Sequence, residues 1–322
     1  MRVLIDTTFV RRGPTGGGVY VERLVPALRA EGVDVVEAQN DRRRPPAGGG
    51  LGSLRNLASD VAWTQGRLRR HGADLVHHPM PAHIRHGRRP QVVTVHDVAY
   101  EVEPSWFDAR YRSFATRALR RAAQRADVVI CGTDVTRRDL ERRWGLKRIV
   151  VAPYGPGQQV EVETRGDPRH FLYVGDAEPR KDVAALLAAH ARYASRTAEP
   201  LPLVLVGSVT AHQPLVRLAG RVTTDELAAL HAHAAALVHP SRHEGFGFTV
   251  AEALHAGTPV IAVRNDAIEE VVGGHALVVP AGDIDALADA LANPPRPVRD
   301  RRHSWAACAR AHIEAYSLAM ST

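Results

Sequence analysis

Along most of the chain, short uninterrupted apolar runs alternate with longer stretches in which apolar positions recur every third or fourth residue. The short runs predict strands buried on both faces, and the longer stretches predict amphipathic helices. In the first half, strands are expected at 3–5, 33–37, 75–77, 92–95, 128–131 and 149–151, with helices at 20–30, 54–70, 111–125 and 135–144. In the second half, strands at 172–175, 203–206, 237–239, 260–262 and 276–279 alternate with helices near 183–194, 224–234 and 284–292. Such alternation implies parallel sheets covered by helices on both faces. The expected fold class is α/β, with two doubly wound Rossmann-like domains whose ligand lies at the carboxyl ends of the strands, facing a cleft.

Breaks in the pattern place the joints. Periodicity gives way to Gly, Pro and polar residues over 154–168, the expected domain junction, while the Arg/Pro/Gly-rich stretch 41–52 reads as a mobile loop. No internal repeat is found. A chain of 322 residues, 45% apolar, exceeds what one core organises. The expected division is a first domain over 1–160, a second over 161–302, and a terminal helical segment over 303–322, its helix spanning 304–320 after the Pro-rich residues 294–297. Two cysteines, Cys131 and Cys308, provide neither a disulfide framework nor a metal cluster, which suits a reducing cytoplasm. The start Met1-Arg2-Val3-Leu4-Ile5-Asp6 is an apolar strand interrupted by charge, and no run of about 18 apolar residues occurs, so neither export nor membrane spanning is expected.

Charge adds an asymmetry. The net +7 divides into 27 basic and 16 acidic residues over 1–160, net +11, and 15 against 19 over 161–322, net −4. A positive first half suits an anionic acceptor, an anionic membrane face or nucleic acid, although arginine-rich usage on solvated helix faces would give the same count. Nucleic acid is disfavoured, because the arginines are dispersed and no binding motif accompanies them. Of the 42 basic residues only Lys147 and Lys181 are lysines. Lys181 beside Arg180 at a strand-to-helix turn therefore reads as chosen: a point charge next to a planar fork suits a diphosphate leaving group, against the plainer reading of a solvated basic pair.

Residues 239–262 carry the densest chemistry. Glu244 and Glu252 flank Gly245 and Gly247 just before an apolar helical run. A helix start offers backbone N–H groups to an anion, glycines let a ligand approach them, and carboxylates grip sugar hydroxyls. The pattern fits a sugar joined to a phosphate. Thr249-Val250-Ala251-Glu252 also fits a capping box, in which Glu252 serves only its own helix. Gly16, Gly17 and Gly18 before the helix expected at Tyr20 read as a second phosphate-facing glycine loop or as a flexible turn.

Glu244-Gly245-Phe246-Gly247-Phe248 followed by Glu252 resembles the signature of glycosyltransferase family 4, retaining enzymes of the GT-B fold that use nucleotide-sugar donors. Thr15-Gly16-Gly17-Gly18-Val19-Tyr20, Val95-His96-Asp97, Glu178-Pro179-Arg180-Lys181 and the Ser304-Trp305 helix follow in the family's order, so the resemblance spans nearly the whole chain. It implies an acceptor-binding first domain, a nucleotide-sugar-binding second domain and a terminal helix packing back on the first. By resemblance, the catalytic set is His96, Arg180, Lys181 and Glu244. The donor diphosphate lies on Arg180 and Lys181, the ribose on Glu252, and the sugar hydroxyls on Glu244 with the amides of Gly245, Phe246 and Gly247. Gly16, Gly17, Gly175 and Phe248 complete the donor pocket, and Gly207, Arg221 and Val222 border the nucleobase. Gly18, Tyr20, His96 and Asp97 lie on the acceptor side, with His96 touching the transferred sugar and Asp97 fixing the ring. His77 and His78 are read as structural.

The resemblance further implies metal-independent transfer to a hydroxyl of a polysaccharide, glycolipid or natural product. UDP or GDP is the favoured donor nucleotide, with no separate cofactor and no metal site. A cytoplasmic location, with peripheral contact at the inner membrane face, is expected. Three departures stand out: Val19 where relatives carry a basic residue, only 12 residues between Gly207 and Gly220, and Asn265-Asp266-Ala267-Ile268-Glu269 before Glu270 where relatives are Gly-rich. The competing readings are a GT-B sugar-nucleotide epimerase and a catalytically silent nucleotide-sugar-binding protein.

Overall fold

The computed structural model describes residues 1–7, 16–38, 72–80, 89–158 and 160–321. Thr15, the 41–52 loop and the helix expected at 54–70 lie outside the described residues, as do the side chains of Tyr111 and Phe114. The chain divides into two compact units, one comprising Met1–Gly155 with Ser304–Thr322, the other Pro156–His303. The division falls inside the polar 154–168 stretch, between Gly155 and Pro156.

In the first unit, β1 (Arg2–Asp6), β2 (Asp34–Ala38), β3 (Leu75–His78), β4 (Gln91–Thr94), β5 (Val128–Cys131) and β6 (Ile149–Val151) form a sheet in the order β2-β1-β3-β4-β5-β6. Every pairing is parallel. Strands β3, β4 and β5 are buried at every position, as a sheet covered on both faces requires. Among the described residues, the connecting α-helices are α1 (Gly16–Ala30), the short α2 (Ala99–Val102), α3 (Ala109–Arg125) and α4 (Asp134–Trp144). Thr133 caps α4 by accepting from Thr136 N–H, and Gly145 at φ 69° ends it.

The terminal helix α10 (Trp305–Met320) packs against α1, with Cys308, Ala309, His312, Ala315 and Tyr316 buried. Its polar side chains join a hydrogen-bonded chain whose direction follows from one carbonyl. His312 Nδ1 lies 2.7 Å from the Cys308 carbonyl, which can only accept, so Nδ1 carries the proton. Nε2 of His312 therefore accepts from Tyr20 O–H at 2.5 Å, and Tyr20 accepts in turn from Thr94 O–H at 2.9 Å. Thr94 then accepts from His77 Nε2–H at 2.8 Å, leaving His77 Nδ1 to accept from Tyr316 O–H at 2.8 Å. This polarity needs neutral imidazoles; burial lowers both, His312 to about 4 and His77 well below its ordinary value. His77 is thus structural.

The second unit contains β7 (His170–Val174), β8 (Leu203–Val206), β9 (Val216–Gly220), β10 (Ala234–His239), β11 (Val260–Val263) and β12 (Leu277–Val279), in the order β12-β11-β10-β7-β8-β9. All pairs are again parallel. From the β9 edge the unit reads third, second, first, fourth, fifth, sixth strand, the Rossmann order, which reverses between β7 and β10. Its helices are α5 (Val183–Arg196), α6 (Thr224–Ala232), α7 (Phe248–Ala256), α8 (Asp266–Val272) and α9 (Ile284–Ala292). Two elements depart from expectation. Strand β9 is half-exposed and mixed in character, so no apolar run announces it, and α8 is too short to develop a period.

Candidate active site

Crevices form at the carboxyl ends of strands where a sheet's order reverses, and in the second unit that point lies beyond β7 and β10. Gly175 follows β7 at φ 154° and donates to the Val206 carbonyl at 2.9 Å; Gly207 follows β8 at φ 118° and donates to the Gly220 carbonyl at 2.8 Å. A Cβ on Gly207 would sit 2.3 Å from the Gly175 oxygen, so this floor admits only bare backbone. Past Gly175, a 3-10 turn at Pro179–Lys181 leads into α5, whose N-cap Asp182 has φ 41°. Past β10, the 240–247 loop is tied to that turn by Arg242 N–H on the Arg180 carbonyl at 2.9 Å. Asn265 braces it from the other side, donating Nδ2–H to the Ser241 carbonyl at 2.8 Å while its Oδ1 caps α8 through Ile268 N–H at 3.0 Å. The unusual 265–269 segment therefore builds α8 and steadies the loop.

Turn and loop meet in an ion cluster. Glu244 Oε1 lies 2.9 Å from Lys181 Nζ, and Oε2 lies 2.9 Å from an Arg180 terminal nitrogen. Arg180 Nε also pairs with Glu178 at 2.8 Å, and His239 Nε2 stands 3.5 Å from Glu244 Oε1. Glu244 is only 8% exposed. Burial alone would raise its carboxyl, but Lys181, His239 and Arg180 outweigh this and hold it well below the usual carboxylate range. Burial keeps His239 below its ordinary value, hence neutral. Arg180, Lys181 and Glu244 are therefore one triad, rather than a bare basic pair awaiting phosphate beside a carboxylate open to hydroxyls. A carboxylate this deep requires paired cations; the trio carries net +1, offset on its solvent side by exposed Glu178.

The helix beyond the loop starts at Phe248, with Gly247 as its N-cap at φ 89°. A Cβ on Gly247 would meet Ile268 Cδ1 at 2.4 Å. The competing capping-box reading does not hold: Thr249 lies inside the helix, its hydroxyl 3.3 Å from His239 Nδ1, and buried Glu252 accepts from Gln158 N–H at 2.7 Å. Gly245 is buried in the loop. The Phe246 ring is also buried, edge-on to half-buried Phe248 and to His303, leaving backbone as the part suited to a ligand. Beside β8, Arg221 lies 3.5 Å from Asp176, whose other oxygen accepts from Ser208 N–H at 2.7 Å. The half-buried Val222 packs against the core. The segment between Gly207 and Gly220 contains no helix and feeds directly into β9. Asp176, His239 and Gln158 were not singled out in the sequence, and Glu178 and Asn265 entered only as parts of motifs; for His239 and Asp176 the available signal was position at a strand's carboxyl end.

In the first unit, Gly16, Gly17 and Gly18 form the first turn of α1 instead of a loop before it. Tyr20 is 0% exposed and bonded to Thr94 and His312, so it joins the terminal helix to the sheet and does not line an acceptor surface; Gly18 is likewise buried. His96 is half-buried beyond β4. Its Nε2 donates to the Pro79 carbonyl at 3.0 Å, which fixes Nδ1 as acceptor from Tyr154 O–H at 3.0 Å. Burial lowers its pKa, in keeping with that neutral tautomer. Asp97 Oδ1 accepts from Ala99 N–H at 3.0 Å at the start of α2. His78 is buried and lowered to about 4, a packed residue. Among the described residues, no group of three His, Cys, Asp or Glu side chains could hold a metal ion, and no helix is long and apolar enough to cross a membrane.

Comparison with known proteins matches residues 14–155 to Glycosyltransferase Family 4 and residues 168–293 to Glycosyl transferases group 1. The chain is 25% identical over 287 residues to O-antigen chain mannosyltransferase B of Escherichia coli, spanning 76% of this chain and 74% of that one. It is 32% identical over 174 residues to the MMP alpha-(1->4)-mannosyltransferase of Mycolicibacterium hassiacum, covering 48% of this chain and 42% of the relative. Among solved structures, sucrose-phosphate synthase from Thermosynechococcus elongatus superposes with TM-score 0.70 at 19% identity, covering 100% of this chain and 97% of that one. The HepE protein of Anabaena, in complex with UDP and glucose, superposes with TM-score 0.62 at 17% identity over 98% and 94% of the two chains. With two parallel Rossmann-like units, paired family matches and a glycine-flanked acidic loop at the second unit's switch point, the chain belongs to glycosyltransferase family 4 and is a GT-B glycosyltransferase.

Proposed function

We propose that the protein transfers a hexosyl group from a nucleoside diphosphate sugar to a hydroxyl acceptor with retention of configuration and without a metal ion. The observation that carries this reading is the buried Arg180–Lys181–Glu244 triad at the reversal between β7 and β10, next to the start of α7. Lys181 uses one of its three N–H groups on Glu244, leaving two for a diphosphate. The net positive trio and the α7 N-terminus both favour that anion, and the charge is greatest on it as the glycosidic bond breaks. Glu244, fixed by two cations, orients sugar hydroxyls by accepting from them, and Glu252 accepts from the ribose. The counter-charge that a metal ion would supply is already present in Arg180 and Lys181. Attack on the face the phosphate leaves, with the departing phosphate taking the acceptor's proton, needs no separate acid and base; positioning and leaving-group stabilisation then carry the rate.

The name of the Escherichia coli relative supports a mannosyl group and a polysaccharide chain as acceptor. UDP and GDP are the donor nucleotides favoured, the first supported by the Anabaena complex. His96 and Asp97 are the proposed sugar- and acceptor-side residues of the first unit, and the excess of base there supports an anionic acceptor, with work at a cytoplasmic membrane face. Calorimetric titration with UDP, GDP, ADP and dTDP sugars, followed by product analysis with and without acceptor, tests the reading. Binding of one donor with an axial-retained product is expected; turnover of the donor without acceptor would instead mark an epimerase.

A further inference from the structure

The first unit contains an open hollow of about 410 Å³ lined in part by Glu101, Arg112, Ser113, Thr116, Arg117 and Arg143, none of them among the residues assigned above. Its walls come from α2, the first half of α3 and the end of α4. Three guanidiniums border it against one carboxylate. Each is braced in a way that fixes its position: Arg112 donates to the Pro104 carbonyl at 3.3 Å, Arg117 to Ser113 Oγ at 3.1 Å, and Arg143 to the Glu101 carbonyl at 3.0 Å. Glu101 is turned to Trp144, accepting its indole N–H at 2.8 Å, and Arg143 is balanced by Asp139 at 3.3 Å.

Arg112 and Arg117, unlike several surface arginines of this chain, have no carboxylate partner among the described residues, and both line the same hollow. On neighbouring α4, Arg137 is clasped by Asp134 and Glu141, and on α5 both Arg192 and Arg196 are matched by Asp285. The second hollow, beside Arg192, is accordingly charge-matched. Over its whole length α3 (Ala109–Arg125) carries no acidic residue. An arginine has five N–H groups in a planar fork, and each of these two spends one on a neutral oxygen, so both can still present paired donors to an oxyanion. The hydroxyls of Ser113 and Thr116 lie in the same wall.

We infer that this hollow binds a phosphate ester, gripped by Arg112 and Arg117 with Arg143 at its rim. The ester belongs either to a soluble or chain-borne phosphate of the acceptor or to a phospholipid headgroup; both present the same tetrahedral oxyanion to the same forks. The inference concerns the first unit alone and does not rest on the donor chemistry proposed above.

The test is a titration of the intact protein with glycerol 3-phosphate, and in parallel co-sedimentation with phosphatidylglycerol or phosphatidylcholine vesicles. The variants are Arg112→Gln with Arg117→Gln, and separately Lys181→Ala, which disables the other phosphate-seeking site. Lys181→Ala should retain binding, and the Arg112→Gln/Arg117→Gln protein should lose it by about tenfold or more with an unchanged melting temperature, since neither arginine is in the core. Binding of glycerol 3-phosphate identifies a soluble or acceptor phosphate; binding of phosphatidylglycerol vesicles alone identifies a headgroup. Equal binding by wild type and double variant in both assays, or loss only in Lys181→Ala, would overturn the inference.

Discussion

A carboxylate 8% exposed and held by two cations makes Glu244 the residue whose replacement separates charge from shape. Glu244→Gln removes the anion and leaves Arg180 and Lys181 adjacent, so free nucleotide should bind at least as well as before while use of the intact sugar donor collapses. Calorimetry with the nucleotide against turnover with its sugar reads the difference, and parallel loss of both would deny Glu244 a sugar-specific role. Lys181→Ala should lower kcat/KM by about 100-fold, the usual worth of one oriented charge on a leaving group, with Lys181→Arg only partly restoring it. Glu252→Gln keeps an acceptor for Gln158 N–H, so its melting temperature should hold while nucleotide affinity falls. Silence in the binding assay would reduce Glu252 to a loop anchor. The capping pattern Thr249-x-x-Glu252 misleads here because a left-handed glycine at 247 starts the helix two residues earlier, and that angle is invisible in residue type alone.

Elements with a clear apolar pattern are legible: β3, β5, β8 and α9 lie within a residue of where that pattern puts them. Elements defined by partners were not. β9 exists because β8 offers an edge, and α8 because Asn265 caps it while bracing another loop. The docking of α10 also depends on tertiary chemistry, through a chain of buried hydrogen bonds that a histidine-rich sequence does not single out. Histidines buried in neutral form have a pH consequence. His78 and His312 have folded pKa values lowered to about 4, against roughly 6.5 unfolded. Between those values the unfolded chain binds more protons, so stability is fully present above about pH 6.5 and declines as pH falls toward 4, by about 1.4 kcal/mol per unit for each histidine. Denaturant midpoints at pH 7 and pH 5 measure it; equal midpoints would mean these imidazoles are not held neutral.

At the scale of the whole molecule, two sheets of different strand order follow from two halves with the same alternation, and only the second has the first–fourth reversal that gathers the acidic loop and the basic turn. Alternation predicts both sheets; it does not say that Arg180, Lys181 and Glu244 share one buried charge cluster. Activity is expected to survive exhaustive EDTA treatment, because in the proposed mechanism those two cations supply the leaving group's counter-charge. Rescue of a chelated, inactive enzyme by Mg²⁺ or Mn²⁺ would refute that expectation.

Salt should act on the two halves unequally. The net +11 of residues 1–160 rests on arginines such as exposed Arg117, whereas Arg180 and Lys181, the cations proposed to hold the donor, have side chains only 20% and 12% exposed. Exposed charges are screened over about 10 Å at 0.1 M ionic strength, and buried pairs much less. If the acceptor is anionic, its apparent KM should climb several-fold between low and moderate salt while the donor KM changes little. Steady-state kinetics over a sodium chloride series, with each substrate varied in turn, reads both constants from one preparation. A flat acceptor KM would show that the positive half has no part in acceptor recognition, and an equal rise in both would trace the salt effect to the protein's overall charge instead of to its first unit.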